Sequence, residues 1–309
     1  MPTSPRIIFM GTPEFAVASL DAILRAGYNV VAVITAPDKP AGRGMQLTES
    51  AIKKYARGKG LRILQPEKLK NPAFVDELRT FAADLQIVVA FRMLPEIVWN
   101  MPPIGTVNLH GSLLPQYRGA APINWAVING EPETGVTTFK LQHDIDTGNI
   151  LLQEKFPIGP DETAGEVHDR MKEIGAQLLV RTIAGLVAGT LGGAPQDNPP
   201  NLRHAPKILT ETCRIDWTKP TAEIYNLIRG LSPFPTAFTE LDGKLLKIYR
   251  AAKDPTLPSG PPGQPDTDNR TYLRFAAPDG HIRVTELQLE GKKRMNVQEF
   301  LRGYKPRTQ

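Results

Sequence analysis

The chain has 309 residues, 41% of them hydrophobic and 22% charged, with a formal net charge of +5; this balance describes a folded globular protein and excludes a disordered or low-complexity chain. No apolar run approaches the roughly 18 residues that span a bilayer, and Met1-Pro2-Thr3-Ser4-Pro5-Arg6 leads straight into a strand-like segment without the layout of a signal peptide. Cys213 is the lone cysteine, which excludes an internal disulfide and a thiolate zinc site and points to a cytoplasmic setting.

In chain order, residues 6–11 read as a buried strand ending at Gly11. A helix follows over 14–27, with Phe15, Val17, Leu20, Ile23 and Leu24 at helical spacing and Gly27 closing it. Residues 29–35 form a second buried strand, 61–64 a short strand-like piece, and 72–82 a helix. Two more apolar strands are expected over 85–91 and 106–110. Strands alternating with helices in this way predict an α/β, Rossmann-like sheet, mainly parallel, with helices on both faces. Residues 135–142 and 149–157 read as extended and 163–190 as a long helix. Leu191-Gly192-Gly193-Ala194-Pro195 through Pro199-Pro200 then has linker chemistry. Beyond it, a helix over 221–231 and short strands with turns at Asp242-Gly243 and Asp279-Gly280 suggest a small β-barrel, with a Pro- and Gly-rich loop at 254–269. The expected division is a catalytic domain at 1–190, a linker at 191–206 and a barrel domain at 207–309.

Charge follows that division. Residues 1–205 carry 20 Lys/Arg against 20 Asp/Glu, whereas residues 206–309 carry 17 against 12. A basic last third suggests contact with a polyanion, although a solvated basic surface has the same composition.

Gly11-Thr12-Pro13-Glu14 occupies the place of a dinucleotide-binding G-x-G-x-x-G but does not match it, so it reads as a tight strand-to-helix turn. Asn108 and His110, two apart on a strand, project to one side. The strand ends at Gly111, and binding crevices of open α/β sheets lie beyond the carboxyl ends of strands. An amide and an imidazole there can direct hydrogen bonds at an oxygen gaining negative charge. Asp146, before Thr147-Gly148, is a carboxylate that could support the imidazole, while Asp144 suits an Asx turn. Ser112 lacks a nucleophile elbow, and His143, His168, His204 and His281 lack metal-ligand spacing. Pro37 through Leu47 is too long for a minimal loop and presents Lys39 and Arg43, which suit phosphate contact. Arg118 is either a surface residue or a substrate holder.

Taken together, Ile8-Phe9-Met10-Gly11-Thr12-Pro13-Glu14-Phe15, Pro40-Ala41-Gly42-Arg43-Gly44, Asn108 through Pro122, Asp146-Thr147-Gly148 and Arg214-Ile215-Asp216-Trp217 resemble the methionyl-tRNA formyltransferases, within the 10-formyltetrahydrofolate-dependent formyltransferase family. The resemblance covers nearly the full length. It implies a Rossmann-like formyl-transfer domain joined by a linker to an OB-like β-barrel that contacts tRNA. Position by position, it implies Asn108, His110 and Asp146 as catalytic residues and Ser112, Leu113, Leu114 and Pro115 as the folate-binding segment. Arg43 and Lys39 fall on the tRNA-binding loop at 36–48. It further implies 10-formyltetrahydrofolate as donor, initiator Met-tRNA as partner, no metal and no membrane, and a monomer in the cytoplasm. Two departures stand out. Met45 and Gln46 replace a pair of basic residues common after Gly-Arg-Gly, which should weaken phosphate contact. The segment Val89-Ala90-Phe91-Arg92-Met93-Leu94-Pro95 is shorter than the commoner Tyr-Gly-containing version.

The alternatives are a formyltransferase acting on a small amine such as a ribonucleotide or amino-sugar, a non-catalytic RNA-binding protein, and a nicotinamide-dependent enzyme. The Arg43 loop and basic last third disfavour the first, the Asn108, His110 and Asp146 set the second, and Gly11-Thr12-Pro13-Glu14 the third.

Overall fold

The structure, a computed structural model, describes residues 4–41, 46–197, 199–258 and 260–304. These fold as two compact units, one comprising residues up to Arg118, Gly135–Phe156 and His168–His204, the other Gly119–Thr134, Pro157–Val167 and the chain from Ala205 onward.

The first unit is built on a seven-stranded sheet. Its strand order is Ile150–Pro157, Glu133–Lys140, Gly105–His110, Leu85–Val89, Arg6–Gly11, Asn29–Ile34, Ile63–Leu64. The last five run parallel; Glu133–Lys140 is antiparallel to Gly105–His110. The chain moves outward from Arg6–Gly11 to Ile63–Leu64, then crosses over to Leu85–Val89. The point of reversal, between Arg6–Gly11 and Leu85–Val89, is where such sheets open a crevice at their carboxyl ends. Central strands are buried on both faces, which is why Ile7, Ile8, Phe9 and Met10 form an unbroken apolar run with no exposure. One face carries Ile8, Met10, Ala32, Ile34 and Val88 against Phe74, Val75 and Leu78 of the helix Pro72–Thr80. On the other face, Gly175 of the helix Ala164–Val187 approaches Leu109 so closely that a β-carbon there would sit 2.9 Å from Leu109 Cδ2.

Gly11-Thr12-Pro13-Glu14 is the tight turn expected. Pro13 caps the helix Glu14–Arg25, and a β-carbon on Gly11 would lie 2.7 Å from Ala16 Cβ. The strand expected over 85–91 stops at Val89 because Ala90 takes a positive φ of 47°. The stretch expected as a loop at 36–48 holds a β-hairpin, Lys39–Ala41 against Gln46–Thr48. Asp38, at its base, accepts from Lys53 and Gln65. The helix Ala51–Gly58 that follows has a Ser50 cap accepting from the Lys53 amide at 3.0 Å.

The second unit is a curled antiparallel sheet ordered Ala237–Leu241, Lys244–Asp254, Gly280–Leu289, Leu273–Ala277, Pro265–Thr267, with Met295–Asn296 also paired to Gly280–Leu289. Register shifts around Arg250 bend the long strand Lys244–Asp254. Ile224, Tyr225 and Ile228 of the helix Thr221–Gly230 cover the concave face with Leu246, Ile248, Phe275 and Ile282. Trp217 stacks on Phe275 with ring centroids 4.7 Å apart. Asp242 and Gly243 both adopt positive φ, 50° and 72°, as a two-residue hairpin turn requires. The stretch at 254–269 expected as a loop contributes the strand Pro265–Thr267.

At the end of the long strand, the Thr256 hydroxyl and amide, joined by Arg274, hold the Asp254 carboxyl down to about 2. A carboxyl depressed in the folded state stabilises above its unfolded value, near 3.8, and loses that contribution as pH falls through its folded value. Asp254→Asn is therefore expected to flatten the fall in Tm between pH 4 and pH 2 and to lower Tm at neutral pH. Thermal unfolding from pH 2 to pH 7 checks both.

Candidate active site

Strand register sets one row of side chains on the face of the sheet away from the helix Ala164–Val187. Met10 aligns with Val88, Val88 with Asn108 and Asn108 with Phe139. Thr106, Asn108 and His110 alternate onto this face, as period-two projection dictates. Thr106 is consumed by structure, its hydroxyl lying 2.6 Å from the Trp99 carbonyl and 3.0 Å from Gln86 Oε1. Among the described residues, the half-buried Asn108 carboxamide makes no hydrogen bond.

His110, the last residue of the strand, is buried. Its Nε2 lies 2.9 Å from the Tyr117 carbonyl. A carbonyl only accepts, so Nε2 carries the proton, and Nδ1 is the ring atom left for chemistry. Nδ1 faces Asp146 Oδ2 at 3.8 Å, with the two side chains only 7% and 13% exposed. The carboxylate is thus the charged group that faces this ring nitrogen.

The carboxylate does not arrive from the carboxyl end of a parallel strand. Glu133–Lys140 runs the opposite way to Gly105–His110, so its chain emerges beside the start of that strand, where the Leu141 amide donates to the Thr106 carbonyl at 2.8 Å. The loop then runs along the Thr106–Asn108–His110 face and presents Asp146 at the far end. Asp146 adopts a left-handed φ of 55°. Gly148 presses the turn onto the sheet: a β-carbon there would lie 1.6 Å from the Lys140 carbonyl oxygen and 3.1 Å from Phe139.

Ser112 to Pro115 follow directly. Ser112 is fully buried, and its hydroxyl donates to the Gln116 carbonyl at 2.6 Å. The neighbouring strand fastens the segment: Thr137 Oγ1 donates to the Ser112 carbonyl at 2.7 Å and accepts from the Leu114 amide at 3.1 Å, while Gln153 donates to the Leu114 carbonyl at 2.9 Å. The Leu114–Pro115 peptide is cis, Leu114 is buried, and Leu113 packs where a side chain on Gly135 would clash. This is a rigid shelf that offers backbone and apolar surface, not the Ser112 hydroxyl. The shortened segment after Val89 is held by Arg92, which donates to the carbonyls of Pro66 and Glu67.

Asn108, His110 and Asp146 thus share one strand face and the loop above it. Lys39 is exposed on the hairpin beyond the strand Asn29–Ile34; Arg43 lies outside the described residues. Several positioning groups escaped sequence reasoning. Tyr117 uses its carbonyl, which no side-chain motif advertises, and Thr137 and Gln153 act across strands. Arg118 donates to Gln196 Oε1 at 3.1 and 2.8 Å. Among the described residues no group of three or more His, Cys, Asp or Glu is placed to hold a metal ion, and no helix is long and apolar enough to cross a membrane.

A family model described as formyl transferase matches residues 5–183, and one described as formyl transferase, C-terminal domain, matches residues 207–305. The chain is 56% identical over 310 residues to methionyl-tRNA formyltransferase of Parabacteroides distasonis, covering 97% of this chain and 96% of that protein. It is 52% identical over 307 residues to the protein of the same name from Bacteroides fragilis, covering 97% and 95%. Among solved structures, the N-formyltransferase from Helicobacter canadensis in complex with folinic acid and dTDP-3-aminofucose superposes with a TM-score of 0.66 at 21% identity, covering 91% of this chain and 98% of that one. HypX from Aquifex aeolicus in complex with tetrahydrofolic acid gives 0.67 at 18%, covering 98% of this chain and 49% of HypX, so the chain spans about half its length. At such identities the two structures speak to the fold alone.

Proposed function

The chain belongs to the formyl transferase family, and from that premise we propose that it moves the formyl group of 10-formyltetrahydrofolate to the α-amine of methionine on initiator Met-tRNA. The observation that carries the reading is the unpartnered Asn108 carboxamide on the same strand face as the His110–Asp146 pair. An amide whose donors neither backbone nor side chain takes up is free to bond a ligand. A formyl oxygen gaining charge is such a ligand.

In the reaction the neutral α-amine attacks the formyl carbon. A new N–C bond forms, the bond from that carbon to folate N10 breaks, the amine gives up a proton, and N10 leaves with one. Asn108 donates to the developing oxyanion. His110 contributes as imidazolium through Nδ1, because Nε2 is committed to the Tyr117 carbonyl. Asp146 balances that charge and takes the amine proton, directly or through water. The shelf from Ser112 to Pro115 supports the folate through backbone and apolar contact, and no covalent enzyme intermediate is required.

For the acceptor, Lys39, Arg43 and the basic chain beyond residue 206 supply phosphate contacts. In this reading residues 1–190 carry out transfer, 191–206 connect, 207–309 bind tRNA, and one copy suffices in the cytoplasm. The test is to incubate the protein with 10-formyltetrahydrofolate and either initiator or elongator Met-tRNA and measure N-formyl product. Product with the initiator alone is expected. KM for Met-tRNA should rise by about an order of magnitude or more between 50 and 200 mM salt, through loss of counterion release. KM for the folate should change little. A salt-insensitive enzyme that formylates a small amine better would refute the acceptor.

A further inference from the structure

Gln196 lies in a stretch whose Gly and Pro content reads as connector, yet its carboxamide is fully engaged. Nε2 donates to the Asp146 carbonyl at 2.8 Å and to the Gly148 carbonyl at 2.8 Å. Oε1 accepts from Arg118 Nε at 3.1 Å and Nη2 at 2.8 Å. One amide therefore spans the two carbonyls of the turn that carries the carboxylate and is itself oriented by a guanidinium fork. The backbone around Gln196 is fixed too: Ala194 and Ile150 exchange hydrogen bonds of 2.8 and 2.9 Å, which ties the stretch to the sheet.

The same stretch holds the opposite side of the imidazole. The Arg203 carbonyl accepts from the Tyr117 amide at 2.6 Å, and the Arg203 amide donates to Gln116 Oε1 at 2.8 Å. Tyr117, in a left-handed conformation with φ 60°, is thereby placed with its carbonyl on His110 Nε2. Asp146 is also left-handed. Such residues persist only where surrounding contacts over-determine them.

We infer that Gln196, braced by Arg118, is a positioning residue for the reaction: it locks the Asp146–Gly148 turn so that the Asp146 carboxylate faces His110 Nδ1. Neither Gln196 nor Arg118 need touch substrate for this. Arg118, whose sequence context left surface and substrate roles open, acts here through Gln196. The inference rests on the formyl-transfer reading for its kinetic consequence, but not for its structural one.

The test compares Gln196→Ala, Gln196→Glu and Asp146→Ala in the full chain. Gln196→Ala should lower kcat about 10- to 30-fold, the scale on which misplacing a reacting group acts, with KM for folate and Met-tRNA within about twofold. Gln196→Glu should not restore activity, since a carboxylate accepts from Arg118 but cannot donate to two carbonyls. Added to Asp146→Ala, Gln196→Ala should cost less than about twofold more, the non-additivity of groups acting as one unit. A merely structural loss would multiply instead. Independently of any acceptor, the side-chain 15N signals of His110 should shift in Gln196→Ala in the direction seen in Asp146→Ala. Unmoved His110 signals, or full kcat in Gln196→Ala, would overturn the inference. Absence of formyl transfer by the unsubstituted protein would sink the functional reading instead, leaving the 15N comparison to decide the positioning role.

Discussion

Replacing His110 by Ala is expected to lower kcat for formyl transfer by about 10³-fold, the combined scale of an oxyanion donor and a proton-handling group. The imidazole is buried, bonded on one side to the Tyr117 carbonyl and facing Asp146 on the other, so no solvent group can take its place. Truncation leaves the Tyr117 carbonyl without its donor, at a cost of about 1–3 kcal/mol, so the protein should remain folded with Tm lower by a few degrees. Asp146→Asn tests the other half of the pair. It keeps shape and removes charge, and kcat should fall by about 10²-fold with KM values little changed. Near-normal turnover in folded His110→Ala would remove the imidazole from the mechanism.

Gly148→Ala should be as damaging as Asp146→Asn despite adding a single methyl group. Its β-carbon would sit 1.6 Å from the Lys140 oxygen and 2.8 Å from the Lys140 carbonyl carbon, both backbone atoms that no side-chain rotation can clear. Either the turn lifts from the sheet or the strand Glu133–Lys140 yields. Overpacking of this kind costs about 1–3 kcal/mol, and a displaced Asp146 should lower kcat by about 10²-fold. Gly192→Ala, where nothing lies within 4 Å of the added carbon, is the control and should be neutral. Chemical denaturation and kcat measured on both variants decide the matter. Equal stabilities would show that the turn is not wedged against Lys140.

The sheet and the active-site strand were legible because both rest on local signals. Ile7 to Met10 and Ile87 to Val89 are buried on both faces and so leave unbroken apolar runs. Asn108 and His110 share a face by simple alternation. The short helices Ala51–Gly58 and Pro122–Ile128 went unread because each offers too few turns for a 3.6-residue period to emerge. Their only marks are Ser50 before one and Pro122 opening the other. The hairpin at 39–48 was taken as loop because its strands are three residues each and one contains Pro40. Within the site, the route of the Asp146 loop was hidden: it depends on Glu133–Lys140 entering antiparallel, and residue pattern does not encode strand direction. Tyr117, Thr137 and Gln196 were hidden for a related reason. They act through carbonyls or across strands distant in sequence, where tertiary placement decides the partner.

The fastening of Ala194 to Ile150 also bears on how the sheet ends. Ile150–Pro157 and Ile63–Leu64 are the two borders of the seven-stranded sheet, and a border strand offers unpaired amides and carbonyls to any other chain. At one border the strand is two residues long, too short to template an addition. At the other, Ala194 occupies both backbone groups of Ile150. The peptide that braces the carboxylate turn thus also closes the first rung of that border, so the same few residues that fix geometry cap the sheet where its outer strand begins.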